Sequence, residues 1–447
     1  MAIISISDSQ VNSADQILVA DASSKIPAKD GSQITILNAS NVATGTIASA
    51  RLDVGTTANK LVQLDGSGNL PAVDASQLTG IVSATISASD PTVSTNPSGG
   101  VGTEWLNSTS GEMYICTDAT AGENVWTNVG AGTGDIVPYS YQGSSYGYSA
   151  GGDLPRSTDI HKYSFTSDGN ATNVGDMFGG TSGAGCHLHS YGATSSLTHG
   201  YTHGGNSWPT TTANGYWNNL IDKFPFAAAD GFTSTDVGNL SQGKGYIGGF
   251  SSDGYGWVAG GWNGSTLNVI DRYSHSSDGN ATDWADLTAA TKEDSNGANA
   301  SDYGYVTGSS SDSTKIERFA FASQSNGTDV GNLAVASRFY AGANSSTTHG
   351  YHVGGASSGG GPAQNEIQKF TFASSGNASD VANLQTQVAW CSSSSSTTHG
   401  YQAGGDTGTT SSATNIIQKH SFSADSNGTD VGDLTHANNY MGGGNQY

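Results

Sequence analysis

Ser345-Ser-Thr-Thr-His-Gly-Tyr-His-Val-Gly-Gly355 decides the fold, because it recurs. Ser195-Ser-Leu-Thr-His-Gly-Tyr-Thr-His-Gly-Gly205 and Ser395-Ser-Thr-Thr-His-Gly-Tyr-Gln-Ala-Gly-Gly405 are close copies. Looser ones are Tyr146-Gly-Tyr-Ser-Ala-Gly-Gly152, Tyr255-Gly-Trp-Val-Ala-Gly-Gly261 and Tyr303-Gly-Tyr-Val-Thr-Gly308. The aromatic after the first Gly falls at Tyr148, Tyr201, Trp257, Tyr305, Tyr351 and Tyr401, in steps of 53, 56, 48, 46 and 50 residues. No helical apolar spacing accompanies this period, which points to repeated β units.

Working outward, each repeat holds four strand-like pieces. A small-residue segment comes first, as in Gly245-Tyr-Ile-Gly-Gly-Phe250 and Arg338-Phe-Tyr-Ala-Gly-Ala343. The quoted motif is second. Third is Ile-x-basic-aromatic: Ile160-His-Lys-Tyr163, Ile221-Asp-Lys-Phe224, Ile270-Asp-Arg-Tyr273, Ile316-Glu-Arg-Phe319, Ile367-Gln-Lys-Phe370 and the variant Ile417-Gln-Lys-His420. The fourth follows an Asp-Gly or Asn-Gly turn, as in Asp329-Val-Gly-Asn-Leu333. Four strands per repeat match one blade of a β-propeller, whose innermost strands crowd an axis and need Gly, Ala and Ser. Strands two to four occur six times. The small-residue segment occurs a seventh time, in Asn438-Asn-Tyr-Met-Gly-Gly-Gly-Asn-Gln-Tyr447. This tail is expected to supply the inner strand of the first blade and close the ring.

Two regularities concern polar residues. Lys162, Lys223, Arg272, Arg318, Lys369 and Lys419 share one position, and eleven residues later come Asn173, Asp283, Asp329, Asp380 and Asp430, with Asp236 displaced by two in a longer repeat. Folding the hairpin is expected to pair them across strands. His199, His349 and His399 also share a position, and bonding to a neighbouring blade's backbone is expected of them over a metal ring, since three repeats lack the His. Asn-x-Ser/Thr at Asn170, Asn280, Asn326, Asn377 and Asn427 always falls in the turn register and reads as part of the turn.

Composition bounds the partners. Of 447 residues only 12% are charged, 63 are Gly, and the net charge is −22. Such a surface repels nucleic acid and anionic membranes, so neither partner is expected. No run approaches the ~20 apolar residues of a membrane span, and Met1-Ala-Ile-Ile-Ser-Ile-Ser-Asp8 lacks a basic leader, so synthesis in a cytoplasm is expected. Cys116, Cys186 and Cys391 give neither zinc spacing nor a disulfide framework. No cofactor or metal is expected, and no nucleophile elbow, phosphate loop or metalloprotease motif is present.

The first third differs. Within residues 1–84, Ile17 to Thr35 lies over Leu61 to Thr79 at an offset of 44, each unit a short apolar strand, an Asp/Ser turn and a Pro-broken strand. Neither buries enough to fold alone, so intertwining of identical chains is expected. Residues 85–134 open on a turn-rich hinge, Ser89 to Gly100, followed by three strands with Trp105, Tyr114 and Trp126 as a small aromatic core. Residues 135–447 are the repeat region.

Candidate ligand-binding residues are aromatics that depart from the repeat. Trp208, Tyr216 and Trp217 lie in the long second connection and Trp262 in the third, where variable loops on a rigid scaffold carry binding. Trp105 and Trp126 of the small module are further candidates for stacking on sugar rings.

The wording Leu64-Asp-Gly-Ser-Gly-Asn-Leu-Pro-Ala-Val-Asp-Ala-Ser-Gln-Leu-Thr-Gly80 resembles bacteriophage tail-fibre shafts, and the Trp105 to Trp126 segment is similar to a compact module of phage fibre proteins. The blades resemble kelch-like repeats in virion proteins of marine phages, notably those infecting cyanobacteria. The resemblance implies an all-β chain: a trimeric β shaft, a small β module and a six-bladed kelch-like propeller, with seven blades the alternative. It implies a non-enzymatic virion fibre or appendage. The chain is then a homotrimer docked on tail or neck proteins through its N-terminal part and facing a host-surface glycan with its head. A polysaccharide-cleaving tailspike and a purely structural neck or capsid appendage are the alternatives.

Overall fold

The computed structural model describes residues 84–447, except 131–135, 137, 154–155, 180–190, 207–216, 292–296, 310–311, 338–339, 358–360, 409–411 and 440. The chain divides into two units, Met1–Ala84 and Thr85–Tyr447. The shaft expected in the first lies outside the described residues, as do Trp208 and Tyr216. Among the described residues there is no helix. The fold is all-β, built from many small, mostly antiparallel sheets.

The small module is a four-stranded sheet. Thr85–Ser87 runs parallel to Glu104–Asn107, and Met113–Asp118 and Val125–Asn128 follow antiparallel. Tyr114, Cys116 and Trp126 are its buried core. The segment read as a hinge is fastened instead. Asn124 Nδ2 donates to Val93 O and to Asn96 Oδ1, each at 2.8 Å, and Trp105 Nε1 donates to Ser89 O at 2.9 Å. Turn residues suggested mobility, but their carbonyls meet side-chain donors from across the module.

Six further sheets follow in chain order. The first holds Tyr146–Ala150, Asp159–Ser164 and Thr172–Asp176. The second holds Gly192–Ser195, His199–His203, Leu220–Pro225 and Thr235–Asn239. The third holds Gly248–Ser252, Tyr255–Ala259, Leu267–Ser274 and Thr282–Thr291. The fourth holds Ala298–Asn299, Tyr303–Thr307, Lys315–Ala320 and Thr328–Asn332. The fifth holds Gly342–Ser345, His349–Val353, Glu366–Thr371 and Ser379–Asn383. The sixth holds Ser392–Ser395, His399–Ala403, Thr414–Ser421 and Thr429–Asn438. The first sheet gains Phe232–Thr233 from the long second repeat along one edge. Along its other edge it gains Asn445–Gln446, with Asn445 opposite Tyr148 and Gln446 opposite Gly147. The tail thus pairs with the first sheet, next to its Tyr146–Ala150 strand.

The repeated glycines have separate reasons. The Gly before each motif aromatic lies under the third-strand ring. A Cβ at Gly147, Gly200, Gly256, Gly304, Gly350 or Gly400 would run into Tyr163, Phe224, Tyr273, Phe319, Phe370 or His420 respectively. The Gly-Gly pair ends the strand in a left-handed backbone, with φ of 66° and 93° at Gly354 and Gly355.

Apolar clusters fill the junctions between sheets. Phe250, Trp257 and Phe319 join the third and fourth, and Tyr163, Tyr401 and Leu434 join the sixth to the first. Along the inner strands a chain of hydrogen bonds runs from sheet to sheet. The Ser195 amide donates to Ser251 Oγ, Ser251 to Asn299 Oδ1, Asn299 to Ser345 Oγ and Ser345 to Ser395 Oγ, at 2.7–3.0 Å. Ser395 then donates to Gln446 Oε1 at 3.3 Å, and Gln446 to Ser195 Oγ at 3.1 Å, which completes the cycle.

The variable third-strand position is a buried latch to the preceding sheet. Gln368 accepts from the Val335 amide and donates to its carbonyl, at 2.7 and 2.9 Å. Gln418 does the same with Thr386. Glu317 accepts from Thr288 twice, Asp271 pairs with Lys244 at 3.1 Å, and His161 bonds Thr435 Oγ1 at 2.7 Å. At the rim, the turn asparagines take amides of the preceding sheet. Asn280, Asn377, Asn427 and Asn170 accept from Asn239, Asn332, Asn383 and Asp433 at 3.0–3.1 Å, and Asn326 accepts from Asp286 at 3.2 Å.

The charge pairing within hairpins does not occur as expected. A register shift after Ile221 puts Lys223 opposite Thr235 and leaves Asp236 opposite Asp222. Adjacent strand residues face opposite ways, so the basic residue and that Asp lie on different faces. The lysines reach the next sheet instead: Lys223 to Asp278, Lys369 to Asp425 and Lys419 to Asp168, at 2.9, 3.0 and 2.5 Å. Arg272 lies over Trp284 and Tyr255, Arg318 over Tyr303 and Lys162 over Tyr146. The motif histidines do not bond a neighbouring backbone either. His199, His349 and His399 Nδ1 each bond the hydroxyl of the preceding Thr at 2.8–2.9 Å, and their amides donate to Ser196, Ser346 and Ser396 Oγ. A Ser-x-Thr-His turn satisfies itself locally.

Candidate functional site

Three bulky residues adopt a backbone that L-residues rarely hold. Tyr246, Tyr340 and Trp390 have φ of 56°, 63° and 53°, and among the described residues no other non-glycine has positive φ. Such strain persists only where the surroundings impose it, and it clusters at functional sites. Each of the three sits just before an inner strand: Gly245-Tyr-Ile247, Phe339-Tyr-Ala341 and Ala389-Trp-Cys391. The left-handed step turns the ring aside, so that the next residue can enter the crowded strand.

The rings form a chain across several sheets. Trp217 lies 5.4 Å from Tyr246, Tyr246 5.9 Å from Tyr340, and Tyr340 stacks on Trp390 at 4.0 Å and 25°. The Trp390 amide donates to Tyr340 O at 2.9 Å. Trp262 joins through its backbone, exchanging both hydrogen bonds with Gly245 at 2.8 and 3.0 Å. Trp217, Tyr246, Trp262 and Tyr340 are half-buried; Trp390 is buried against Ala356, Ala363 and Ala389. The belt therefore has a fixed inner member and partly open outer ones.

The other ends of the inner strands are covered. Residues 138–143 cross them, touching all six sheets. Tyr139 donates to Ser195 O at 3.1 Å and lies against Ser251; Tyr141 lies against Asn299. Gln142 donates to Ser345 O at 3.0 Å, the Gly143 amide to Ser395 O at 2.8 Å, and Gln446 Nε2 to Tyr141 O at 2.9 Å. Desolvation pushes both tyrosine hydroxyls above their ordinary range, so both stay neutral. A cavity of about 360 Å³ lies beside this plug, lined by Glu123, Tyr139, Tyr141, Gln142, Asn299 and Ser346 among others.

Of the residues singled out from sequence, Trp217 and Trp262 come together at the belt. Trp105 and Trp126 do not join them. Trp126 is fully buried, with Trp105 edge-on at 5.8 Å, so Trp126 offers no face to a ligand and is core. Sequence reasoning missed Tyr246 and Tyr340, which were read as part of the small-residue strands, and did not single out Trp390. The signal was the aromatic immediately before that strand in three repeats; Tyr440 holds the same position but lies outside the described residues.

No protein-family model matches this sequence, and no curated protein matches it. Among the described residues no helix is long and apolar enough to cross a membrane.

Proposed function

We propose that the six repeat sheets are the blades of a six-bladed, kelch-like β-propeller closed by the C-terminal strand. We further propose that the chain is an external bacteriophage fibre or appendage protein whose propeller head binds host-surface glycan. The aromatic belt carries this reading. Rigid rings with half-open faces, flanked by Asn, Gln and Thr, suit the apolar face and hydroxyl rim of a sugar. Strain at three ring-bearing positions is the pattern of a preorganised site. The acidic chain favours a neutral glycan over a phosphate-rich partner. Trimeric display through residues 1–84 would multiply weak contacts by avidity. In this reading the head binds and does not cleave.

The experiment is a panel of host-surface polysaccharides offered to the purified chain, with binding and reducing-end release measured together. Binding that falls at least tenfold in Trp217→Ala and Tyr340→Ala, without release of sugar, supports the proposal. Sugar release favours the tailspike alternative. No binding to any host glycan, with normal incorporation into particles, favours a structural appendage.

A further inference from the structure

Three side chains of metal-ligating type meet where the sixth sheet packs on the first. Asp159 and His161 stand two apart on one strand and so share a face. His436 comes from the last long strand, Thr429–Asn438. One ligand atom from each lies within 4.8 Å of the others, and among the described residues no second group of this kind is found. His436 Nδ1 is 3.6 Å from Asp159 Oδ2, and the two imidazoles meet edge to face at 5.0 Å. His161 is fully buried. Its Nε2 is taken by Thr435 Oγ1 at 2.7 Å, and its Nδ1 has no hydrogen-bond partner.

The other junctions serve as internal controls. At His161's position they carry Asp222, Asp271, Glu317, Gln368 and Gln418. Gln368 and Gln418 saturate a backbone amide and carbonyl, and Asp271 meets Lys244. Among the described residues, only the junction of the sixth sheet with the first sets two imidazoles and a carboxylate together, with a ring nitrogen unsatisfied.

We propose that Asp159, His161 and His436 bind one divalent transition-metal ion of the zinc class, which staples the last sheet to the first. Two imidazole nitrogens and one carboxylate oxygen suit zinc-class ions; calcium and magnesium demand mostly oxygen ligands. Bonds of about 2.0–2.1 Å place tetrahedral ligand atoms roughly 3.3 Å apart, so the cluster must contract. His436 and Asp159 side chains are 27% and 28% exposed and have room to turn inward. The Thr435 bond holds the His161 ring through Nε2 and leaves Nδ1 without a hydrogen-bond partner, as outer-shell partners orient metal-binding histidines. A fourth position is open to water.

The test is titration of the full chain with Zn²⁺ by calorimetry and with Co²⁺ by visible absorption. One ion per chain, a tetrahedral Co²⁺ band and a higher thermal midpoint with Zn²⁺ are expected. His161→Gln installs the side chain of the fifth and sixth sheets, so it should fold; it and His436→Asn should each weaken binding at least tenfold. His399→Asn, at the half-buried start of the His399–Ala403 strand and outside the cluster, should bind as the parent does. Failure of the parent chain to bind either ion saturably overturns the proposal. So does equal binding by His161→Gln and His436→Asn variants that keep the parent's β-sheet circular dichroism.

Discussion

The amide of Gln446 donates to Ser195 Oγ at 3.1 Å across 251 residues of sequence. That bond is the last of six equivalent links, each from a backbone amide to the side-chain oxygen of the next inner strand. Beside it, Asn445 Nδ2 reaches Thr194 O at 2.5 Å and Tyr201 O at 3.1 Å, as Asn344 reaches Ser394 O and Tyr401 O. The final residues of the repeat region thus make the same contacts as an interior strand. Ser, Asn and Gln side chains are interchangeable there because each offers one oxygen at the right height.

The glycine under each third-strand ring should be irreplaceable, whereas turn glycines should not. Gly400→Ala puts a methyl into the His420 ring and Asn344 and should cost about 2–4 kcal/mol. Gly376 has open space where a Cβ would go and an ordinary φ, so Gly376→Ala should change stability by under ~1 kcal/mol, in the stabilising direction. Urea unfolding of the two variants checks the contrast.

Lys244 and Asp271 form an ion pair in which both side chains are fully buried. Lys244→Met leaves the carboxylate uncompensated and should destabilise by roughly 3–5 kcal/mol. Asp271→Leu added to it should recover most of the loss, because an apolar pair avoids the desolvation cost. The same denaturation assay reads the double-mutant cycle.

Acid should unfold the protein through its buried histidines. Desolvation lowers His161 to about 4 and His352 and His420 to about 3, against an ordinary 6.5. The unfolded chain therefore binds protons first as pH falls. Stability is full above about pH 6.5, drops through the window down to those folded values, and levels below them, with each histidine adding up to ~1.4 kcal/mol per pH unit. His420 occupies the position held elsewhere by Tyr or Phe, and both its ring nitrogens lack partners. His420→Phe should be more stable than the parent at pH 5 by about 2 kcal/mol or more, with a shallower pH dependence. Thermal melts between pH 4 and 8 measure it.

Much of this was legible in the repeat. Gly before an aromatic, Gly-Gly at a strand end and a seventh small-residue segment each have one steric reason, and that reason acts within a strand or its nearest partner. Side-chain partners were less legible because they lie in the neighbouring sheet. Lys223 finds Asp278 at a separation of 55 residues, and the Asn239 amide finds Asn280 at 41. A hairpin count cannot see either contact, and a one-residue bulge defeats it even within the hairpin. The belt escaped notice because its rings adjoin strands chosen for smallness, and only the backbone angles at Tyr246, Tyr340 and Trp390 set them apart.

Hydrogen exchange of the C-terminal peptide, residues 442–447, tests the proposed closure of the propeller most directly. The cycle through Gln446 predicts protection equal to that of the Gly192–Ser195 strand, with both lost together on denaturation. Exchange of the tail within seconds while the Gly192–Ser195 strand stays protected would contradict it.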